Sequence, residues 1–503
     1  MLEIVMISEC GNLLFMVFGG AAPTLQGCHG QNHTLLLSQE AICDLYHSGS
    51  CLPIVDHQFY SVNVEFELLC GDAGKVKDST SYQMVGYLIG SLVWGQVSDV
   101  FGRRWPMLIT LLINGVIGVG SAFAPTLFLF TVLRTLVCIV FTGHLVISMV
   151  YFCEIFPSKH RLWLAFVLNW SPNLIIVAGI AWLCGDWRSF SLVINALCFV
   201  AAAIMWYCSE SPHYLLRRGR VNDAMEAVKR IYRIDRAELD EKELERVFDK
   251  EREQLALIPK ESFSFPHLFC TWKLAGYTWA VFLSYFSASL VNYALLFNME
   301  TMSGSVYVNT FFMGLFRLLI NLCSAGADLS FEWLGRKTAH KFFCLYAGGT
   351  LIIALVADLM GLNNAWESVI RFMLLSTASM VCQMYAVVSV VCNEVFPTPI
   401  RNVAYAMTQL SESSATIVAP QLYQLSVLGS WVPLVVMIVL VFGDFLSFHF
   451  AIPESKGKPL ADRMPEGEER VGVFRKKSKV SPPDSTITSG YSSPQHKLSF
   501  QQA

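Results

Sequence analysis

Long apolar runs recur along the chain and are separated by short polar stretches. A helix needs about 17–25 mostly apolar residues to cross a bilayer. Runs of that kind are predicted at twelve places: 2–20, 82–99, 106–124, 126–150, 162–183, 188–208, 274–297, 306–327, 341–360, 367–392, 402–426 and 431–452. The pattern therefore predicts an all-α membrane protein with twelve transmembrane helices.

The composition favours the same fold class. The chain has 503 residues, of which 54% are hydrophobic and 15% are charged, and its mean hydropathy is +0.48. A soluble protein of this size needs much more polar surface. The net charge of −3 is small and gives no indication of a nucleic-acid partner.

Basic residues in alternate loops predict the orientation, because short loops rich in Lys and Arg stay in the cytoplasm. The basic set of loops contains Arg103, Arg104, Lys159, Arg161, the segment 209–273, Arg336, Lys337, Lys341 and Arg401. Among the other short loops, Arg188 is the only basic residue. The first set is therefore predicted to be cytoplasmic, with both termini on that side of the plasma membrane. A signal peptide at the first run is disfavoured, because no Lys or Arg precedes Lys75.

The first long polar segment, 24–80, is predicted to be an extracellular loop. Its cysteines are Cys28, Cys43, Cys51 and Cys70. An even number of cysteines in an oxidising compartment predicts two disulfides, for which three pairings are possible. Asn32 starts an Asn-His-Thr glycosylation acceptor and is predicted to carry a glycan.

Two further polar segments complete the predicted domain organisation. Residues 209–273 are strongly charged with balanced sign, and their apolar residues recur at helical spacing. This pattern predicts short amphipathic helices at the cytoplasmic face, with a solvated linker as the alternative. The tail 456–503 is rich in Ser, Pro and Lys and is predicted to be disordered. The remaining domains are a six-helix half at 1–208 and a second six-helix half at 274–455.

Charged markers recur in the two halves in the same order and at nearly constant spacing. DVFGRR at 99–104 corresponds to EWLGRK at 332–337, Arg134 to Arg371, EIFPSKHR at 154–161 to EVFPTPIR at 394–401, and Glu210-Ser211 to Glu454-Ser455. A single charge at a helix end is an ordinary interfacial anchor, but that does not account for an ordered recurrence. The repeat predicts two halves in the same orientation, which is an architecture of membrane transporters.

Five segments of the chain are distinctive: GQVSDVFGRR, EIFPSKHR, CSESPHYLLRRGRVNDAMEAVKRIY, NEVFPTPIRN and IPESKGKPL. Together they resemble the signature segments of a known family, the organic-ion transporters of the major facilitator superfamily. The resemblance runs from about Glu65 to Leu460. It implies the major facilitator fold and the transport of organic cations, organic anions or carnitine-like zwitterions. Sugar porters share the first segment but not the combination SPHYLLRRGR and VFPTPIRN.

The resemblance also implies that the charged markers form a cytoplasmic gate, with contacts that form when that side is shut. Asp99, Arg103 and Arg104 are expected to bridge to the second half. Gly95 and Gly102 would allow close helix approach and a tight turn. The expected gate comprises Gly95, Asp99, Gly102, Arg103, Arg104, Glu154, Arg161, Glu210, Glu332, Gly335, Arg336, Glu394, Arg401 and Glu454. The chain departs from the family in Val100, where an Arg is usual, and in Glu332, where an Asp is usual.

Ionisable residues inside spans are costly and are functional candidates by default. They are Arg134, Arg317, Arg371, Glu412, Asp444 and, as a weaker case, His144. Arg134 and Arg371 recur in both halves, which favours pairing between helices of one half. Arg317 and Glu412 have no repeat partner and are predicted to face the substrate.

The seventh span carries aromatic rings at Tyr285, Phe286 and Tyr293. Such rings hold organic cations or stack on flat anions, and plain packing is the alternative. The resemblance favours a substrate role for these rings and for Asn292. It also places a charge-selecting residue at Ser413: an Asp in cation-selective members, and often an Arg in anion-selective ones. This chain has neither, so cation, anion and zwitterion all remain open.

No enzyme is predicted, because the chain has no Walker A loop and no HExxH, CxxC or GxSxG motif. The predicted function is transport of small organic ions by alternating access. The predicted partners are the substrate and the lipid bilayer, without cofactor, metal, nucleotide or nucleic acid. Two alternatives remain. A transport-deficient sensor would be favoured by missing gate residues, and a sugar-type porter by a polar seventh span.

Overall fold

The computed structural model describes residues 2–28, 39–48, 50, 52–155, 170–235, 244, 246, 248, 264–331, 335–362 and 365–456. Four residues singled out in the sequence lie outside this set: Asn32, Cys51, Arg161 and Glu332. The predicted disordered tail beyond 456 also lies outside it.

The first half contains eleven named elements among the described residues. They are α1 (Leu2–Leu13), α2 (Phe15–Gly19), β1 (Thr24–Cys28), α3 (Gln39–His47), β2 (Pro53–Asp56), α4 (Val62–Glu65), α5 (Gly74–Phe101), α6 (Arg104–Ser121), α7 (Leu127–Ile155), α8 (Trp170–Cys184) and α9 (Trp187–Tyr207). The described part of the central charged segment contains α10 (Pro212–Arg217) and α11 (Val221–Asp235).

The second half contains α12 (Trp272–Phe297), α13 (Val306–Ser330), α14 (Arg336–Leu359), α15 (Glu367–Val395), α16 (Arg401–Leu422) and α17 (Val432–Ala451). Short 3-10 helices lie at Cys70–Ala73, Phe265–Phe269, Met299–Thr301, Thr398–Ile400 and Tyr423–Leu428. Each predicted span coincides with a described helix or, at the first span, with the pair α1 and α2.

Ten of the described helical segments are long and apolar enough to cross a membrane. The fifth span is shorter, because only Trp170–Cys184 of it is described. The eleventh span, α16, is long but rich in Ser, Thr and Gln. A polar helix is tolerated in a bilayer where its polar face is turned to protein or to an internal cavity. The chain therefore has the predicted all-α architecture of two six-helix halves.

The halves pack through α5 against α16 and through α8 against α13. We call the two ends of the bundle the loop end and the charged end. The loop end carries the described parts of the segment 20–73, and the charged end carries the markers around Arg103 and Arg336.

A small two-stranded antiparallel sheet of β1 and β2 caps the loop end, with Thr24 opposite Asp56. The disulfide Cys43–Cys70 joins this loop to the start of α5, and Cys28 is disulfide-bonded as well. Ser61 donates a hydrogen bond to the carbonyl of Ala21 at 2.7 Å. The loop is therefore held against the helices by covalent and polar contacts.

The described hydrogen bonds between the halves are concentrated at the loop end. Lys77 contacts Glu300 at 2.5 Å and the carbonyl of Phe297 at 2.8 Å. The Gln421 amide donates to Asp78 at 2.9 Å and to Ser81 at 3.1 Å.

One inter-half hydrogen bond lies deeper, between Asn321 and Ser171 at 3.1 Å. Among the described residues, none joins the halves at the charged end. The described polar contacts therefore join the halves at the loop end and not at the charged end, and we call this arrangement open at the charged end.

Candidate functional site: a charged gate and a central tyrosine–carboxylate cluster

Arg103 is the centre of the charged cluster in the first half. Its guanidinium binds both oxygens of Glu154, at 3.0 Å from Nη2 and 3.3 Å from Nε, and donates to the carbonyl of Ser98 at 2.7 Å. Asp99 lies 3.2 Å from Nη1, but its side chain is 74% exposed, against 6% for Arg103. Glu154 is therefore the main partner, and Asp99 remains accessible.

Glu210 caps the start of α6. Its carboxylate accepts hydrogen bonds from the backbone N–H of Arg103 at 2.8 Å and of Arg104 at 3.1 Å. A carboxylate is stabilised at a helix N-terminus by the unpaired N–H groups and by the helix dipole. Gly102 lies in the turn between α5 and α6 with φ 97°. This turn brings Glu210 onto the helix start.

The second half repeats this arrangement. Glu454 accepts from the backbone N–H of Arg336 at 2.8 Å and of Lys337 at 3.2 Å. A Cβ on Gly335 would lie only 2.2 Å from the Glu454 carboxylate. The sequence repeat is therefore also a repeat of geometry, in which a carboxylate after the last span of each half caps its third span.

The main acidic partner of Arg336 is Asp328, which is not the counterpart of Glu154, the main partner of Arg103. Arg336 binds Asp328 at 2.6 Å and lies 3.6 Å from Glu394, and Lys456 also contacts Asp328 at 3.1 Å. Asp328 is missed by the sequence analysis because it lies one residue beyond the predicted span 306–327. Glu394 accepts instead from the Ser455 hydroxyl at 2.6 Å.

The ion pairs of these clusters stay within one half. The described acidic partners of Arg103 are Asp99, Glu154 and Glu210, all in the first half. Arg104 donates to the carbonyl of Trp206 at 2.6 Å. The expected bridge from these residues to the second half is thus absent among the described contacts.

Two other gate candidates fit this open conformation. A Cβ on Gly95 would meet no atom within 4 Å, so the close helix approach expected there is not present in this state. Arg401 lies partly buried at the start of α16. Both face the end of the bundle at which the halves are apart.

Glu412 lies midway along α16 and is partly exposed. The Tyr293 hydroxyl lies beside its carboxylate. The hydroxyls of Tyr87, Tyr285 and Tyr385 also lie within electrostatic range of its carboxylate. We call Glu412 and these four tyrosines the central cluster. Tyr87 comes from α5 and the others from α12, α15 and α16, so the central cluster spans both halves.

The tyrosines of the central cluster support one another. The rings of Tyr285 and Tyr385 have centroids 5.5 Å apart, and the Tyr385 hydroxyl donates to Ser289 at 2.9 Å. Tyr385 is partly exposed, whereas Tyr285 is 4% exposed and Tyr293 is 8% exposed. Tyr385 and Glu412 are therefore the more accessible residues of this set.

Arg317 lies beside the central cluster on α13. Its Nη2 donates to the Asn292 side chain at 2.9 Å, and the Cys382 thiol donates to the same oxygen at 3.3 Å. Cys382 lies within electrostatic range of both Arg317 and Glu412. Among the described residues these two charges form no ion pair with each other, so each can take a separate group of a solute.

The other sequence candidates occupy less accessible places. Ser413 is fully buried and its hydroxyl has no hydrogen-bond partner among the described residues, so its position does not fit contact with a solute in this state. Phe286 is partly exposed, and its ring stacks on Phe282 with centroids 6.4 Å apart. The helix turns Glu412 toward the tyrosines and Ser413 into the packing.

Three residues of the region are missed by the sequence analysis. Tyr87 and Tyr385 lie inside predicted spans, and polar aromatic residues at such depth are a usable signal. Glu9 in α1 is fully buried and accepts a hydrogen bond from Ser148 at 3.3 Å. The rule that ionisable residues within spans are functional candidates would have found it.

The two repeated arginines pair within their own halves, as the sequence favours. Arg134 is fully buried and donates to the side chain of Asn12 at 2.9 Å, with its guanidinium 4.0 Å from the Phe15 ring centroid. Arg371 donates to Asn309 at 2.6 Å. Buried guanidinium groups held by amides and rings join helices.

Together these features define a class of protein: a multi-pass membrane transporter with the major facilitator fold. Residues 73–464 match the sugar (and other) transporter family. The chain belongs to this family.

Curated relatives confirm the resemblance to organic-ion transporters. The chain is 26% identical over 419 residues to the organic cation transporter protein of Drosophila melanogaster, covering 81% of this chain and 74% of that protein. It is 27% identical over 427 residues to solute carrier family 22 member 1 of Oryctolagus cuniculus, covering 84% of this chain and 74% of that protein.

Solved structures show the same fold. The inward open conformation of the xylose transporter XylE from E. coli superimposes with a TM-score of 0.63 at 18% identity, covering 90% of this chain and 97% of that one. The proton:xylose symporter XylE bound to 6-bromo-6-deoxy-D-glucose gives a TM-score of 0.59, also at 18% identity, covering 92% of this chain and 97% of that one.

Proposed function

We propose that this protein carries small organic ions with a positively charged group across the plasma membrane. It works as a carrier by alternating access and not as an enzyme. The proposal takes 1–208 and 274–455 as the two moving halves and 209–273 as the cytoplasmic segment between them. The loop end then faces outward, and the charged end and both termini face the cytoplasm.

The observation that carries this proposal is the environment of Glu412. Glu412 is partly exposed, and its carboxylate lies within electrostatic range of tyrosine side chains of both halves. A carboxylate in a partly dehydrated site attracts an opposite charge far more strongly than it does in water. Aromatic faces add cation–π attraction for an organic ammonium group. The ligand would therefore contact both halves, which is what coupling of binding to their movement requires.

Arg317 extends the proposal to zwitterions. Its guanidinium is held by Asn292 and shares Cys382 as a neighbour with Glu412. A solute with an ammonium group and a carboxylate could place the first at Glu412 and the second at Arg317. A simple organic anion would gain only the Arg317 contact and would meet the carboxylate of Glu412.

The charged end supplies the gate in this mechanism. In the open state, Arg103 and Arg336 are held by acids of their own halves, and Asp99 is exposed. Closure brings the halves together at this end and allows Asp99, Arg103 and Arg104 to contact the second half. The ion pairs thus exchange partners between the two states, as a gate with two alternative arrangements does.

Uptake into cells that express the chain tests the proposal. We would use a labelled quaternary ammonium cation, an aromatic carboxylate and a trimethylammonium carboxylate zwitterion, with a labelled pentose to test for a sugar porter. We expect uptake of the cation or the zwitterion, and a loss of at least about tenfold in Glu412→Gln. Arg317→Ala should reduce zwitterion uptake and spare the cation.

Glu367→Gln is the matched control, because Glu367 is exposed in the first turn of α15. Surface biotinylation keeps loss of expression apart from loss of transport. Uptake of the pentose alone would contradict the proposal in favour of a sugar porter. Absence of uptake of all four solutes by well-expressed protein would favour a sensor. Unchanged cation and zwitterion uptake in Glu412→Gln would remove Glu412 from the site.

A further inference from the structure

A second polar cluster lies inside the second half, apart from the central cluster. It consists of His340 on α14, Cys344 one turn later on the same helix, Asp444 on α17 and Ser284 on α12. His340, Asp444 and Ser284 have no exposed surface, and Cys344 is 2% exposed. The gate and the proposed substrate site use none of these side chains.

The donor atoms of this cluster converge on one point. His340 Nε2 lies 3.4 Å from Asp444 Oδ2, and the Cys344 thiol lies 3.6 Å from the same oxygen. The thiol lies 3.9 Å from His340 Nε2. The imidazole, thiol and carboxylate donor atoms all lie within 4.8 Å of one another.

Two of these three separations match the edges of a tetrahedral zinc site, and the third, between the sulfur and the nitrogen, is about 0.4 Å longer than the expected edge of about 3.5 Å. With Zn–N of about 2.0 Å, Zn–O of about 2.1 Å and Zn–S of about 2.3 Å, the N and O donors lie about 3.4 Å apart and the S and O donors about 3.6 Å apart. Ser284 Oγ lies 2.9 Å from His340 Nε2 and 3.3 Å from Asp444 Oδ2. The hydroxyl is thus placed as a fourth donor, or as a hydrogen-bond donor to the carboxylate.

The backbone orients these ligands in advance. Residues four apart on a helix share one face, which places His340 and Cys344 side by side. The imidazole stacks on Phe448 with ring centroids 3.7 Å apart, which fixes the plane of the ring. Three helices of one half therefore hold the donor set without help from a loop.

Charge provides an independent argument. Asp444 Oδ1 is buried and has no hydrogen-bond partner among the described residues. The hydrogen bonds that Ser284 and Cys344 donate to Oδ2 offset only part of the cost of burying a carboxylate. A thiolate, a carboxylate and a neutral imidazole around a divalent cation sum to zero charge. Such a set is suited to the apolar interior of a helix bundle.

We propose that His340, Cys344 and Asp444 bind a zinc ion that joins α14 and α17, with Ser284 of α12 as the neighbouring hydroxyl. On binding, the thiol proton leaves to solvent and the thiolate takes its place on the metal. The ion has a structural role, because the site is closed and offers no room for substrate. It would hold the second half together as this half moves relative to the first.

Metal analysis of the purified chain tests this proposal without a transport assay. The chain is purified in detergent without added chelator, and zinc is measured by mass spectrometry. A second sample is depleted with a chelator and loaded with Co²⁺, whose bond to a thiolate gives a charge-transfer absorption band in the near ultraviolet. We expect about one metal ion per chain and that band.

Cys344→Ser should lose the cobalt band, and Cys344→Ser and Asp444→Asn should each retain about tenfold less zinc. Cys392→Ser is the matched control, because Cys392 is also a buried free cysteine of the second half. The wild-type measurements remain decisive if a variant fails to fold. Wild-type protein without zinc and without the cobalt band would overturn the proposal, and so would folded Cys344→Ser with full metal content.

Discussion

The Glu210 carboxylate lies in the space that a side chain at residue 102 would need. A Cβ on Gly102 would be 2.5 Å from Glu210 Oε2. The pair recurs in the second half as Gly335 and Glu454. At each of these turns, the absence of a side chain on the glycine leaves space for a carboxylate at the start of the next helix.

The capping by Glu210 is expected to contribute to the stability of the first half. Glu210→Gln replaces the carboxylate that accepts hydrogen bonds from the backbone N–H groups of Arg103 and Arg104 with a neutral amide. A cap of this kind contributes about 1–2 kcal/mol to the free energy of unfolding. The melting temperature of the detergent-solubilised protein should therefore fall. Glu226→Gln on the exposed face of α11 is the control and should leave it unchanged, and equal melting temperatures for both variants would show that the cap is unimportant.

A substitution at Gly95 tests whether the two halves close over this residue at the charged end. Nothing lies within 4 Å of a Cβ at Gly95 or at Gly120, so a side chain added at either position begins in open space. If the charged end closes over Gly95, Gly95→Leu should fold normally and slow uptake about tenfold or more, because the side chain blocks closure. Gly120→Leu lies near the loop end of α6 and should transport normally. Equal uptake by the two variants would show that the halves do not close over Gly95.

The number and order of the helices follow from the sequence, because a bilayer requires long apolar runs. The polar helix α16 illustrates the exception. Its residues Arg401–Leu422 are too polar for hydropathy alone to identify the helix as a transmembrane span. The longer run 402–426 and its position in the repeat nevertheless identify it as one. The interruption at Leu14 between α1 and α2 could not be predicted from the hydrophobic pattern of the run 2–20.

The sites were less accessible to sequence reasoning, for physical reasons. The repeat identifies Glu210 and Glu454, because each marker adjoins a span end. It gives no information on which way Glu412 and Ser413 point, since neighbours on a helix differ by about 100°. The zinc candidate joins His340 to Asp444, residues far apart in sequence, so no short motif contains it.

The loop and its orientation can be tested together. If the loop end is extracellular, Asn32 carries a glycan, and glycosidase treatment should increase the mobility of the wild-type protein and leave Asn32→Gln unchanged. The disulfide Cys43–Cys70 should leave neither thiol open to labelling at the cell surface unless a reductant is added. Surface protein that carries no glycan at Asn32 and has free thiols at both cysteines would contradict the orientation.

Asp99 and Glu154 should behave differently, although both bind Arg103. Asp99 is 74% exposed, so Asp99→Asn removes little from the open state and should leave the melting temperature unchanged. It removes a charge that is available to the second half on closure, so uptake should slow markedly at normal surface expression. Glu154 is 12% exposed, and Glu154→Gln weakens a buried bidentate pair, which should cost about 1.5–3 kcal/mol of stability.

Uptake and thermal stability measured on both variants separate the two roles. Asp99 belongs to the gate if its variant is stable and slow. Normal uptake by well-expressed Asp99→Asn would instead leave Asp99 as a surface charge beside Arg103, and the gate would then depend on Arg103 and Arg104. Loss of stability in both variants would mean that Asp99 supports Arg103 in the open state more strongly than its exposure indicates, because solvent normally weakens so exposed an ion pair.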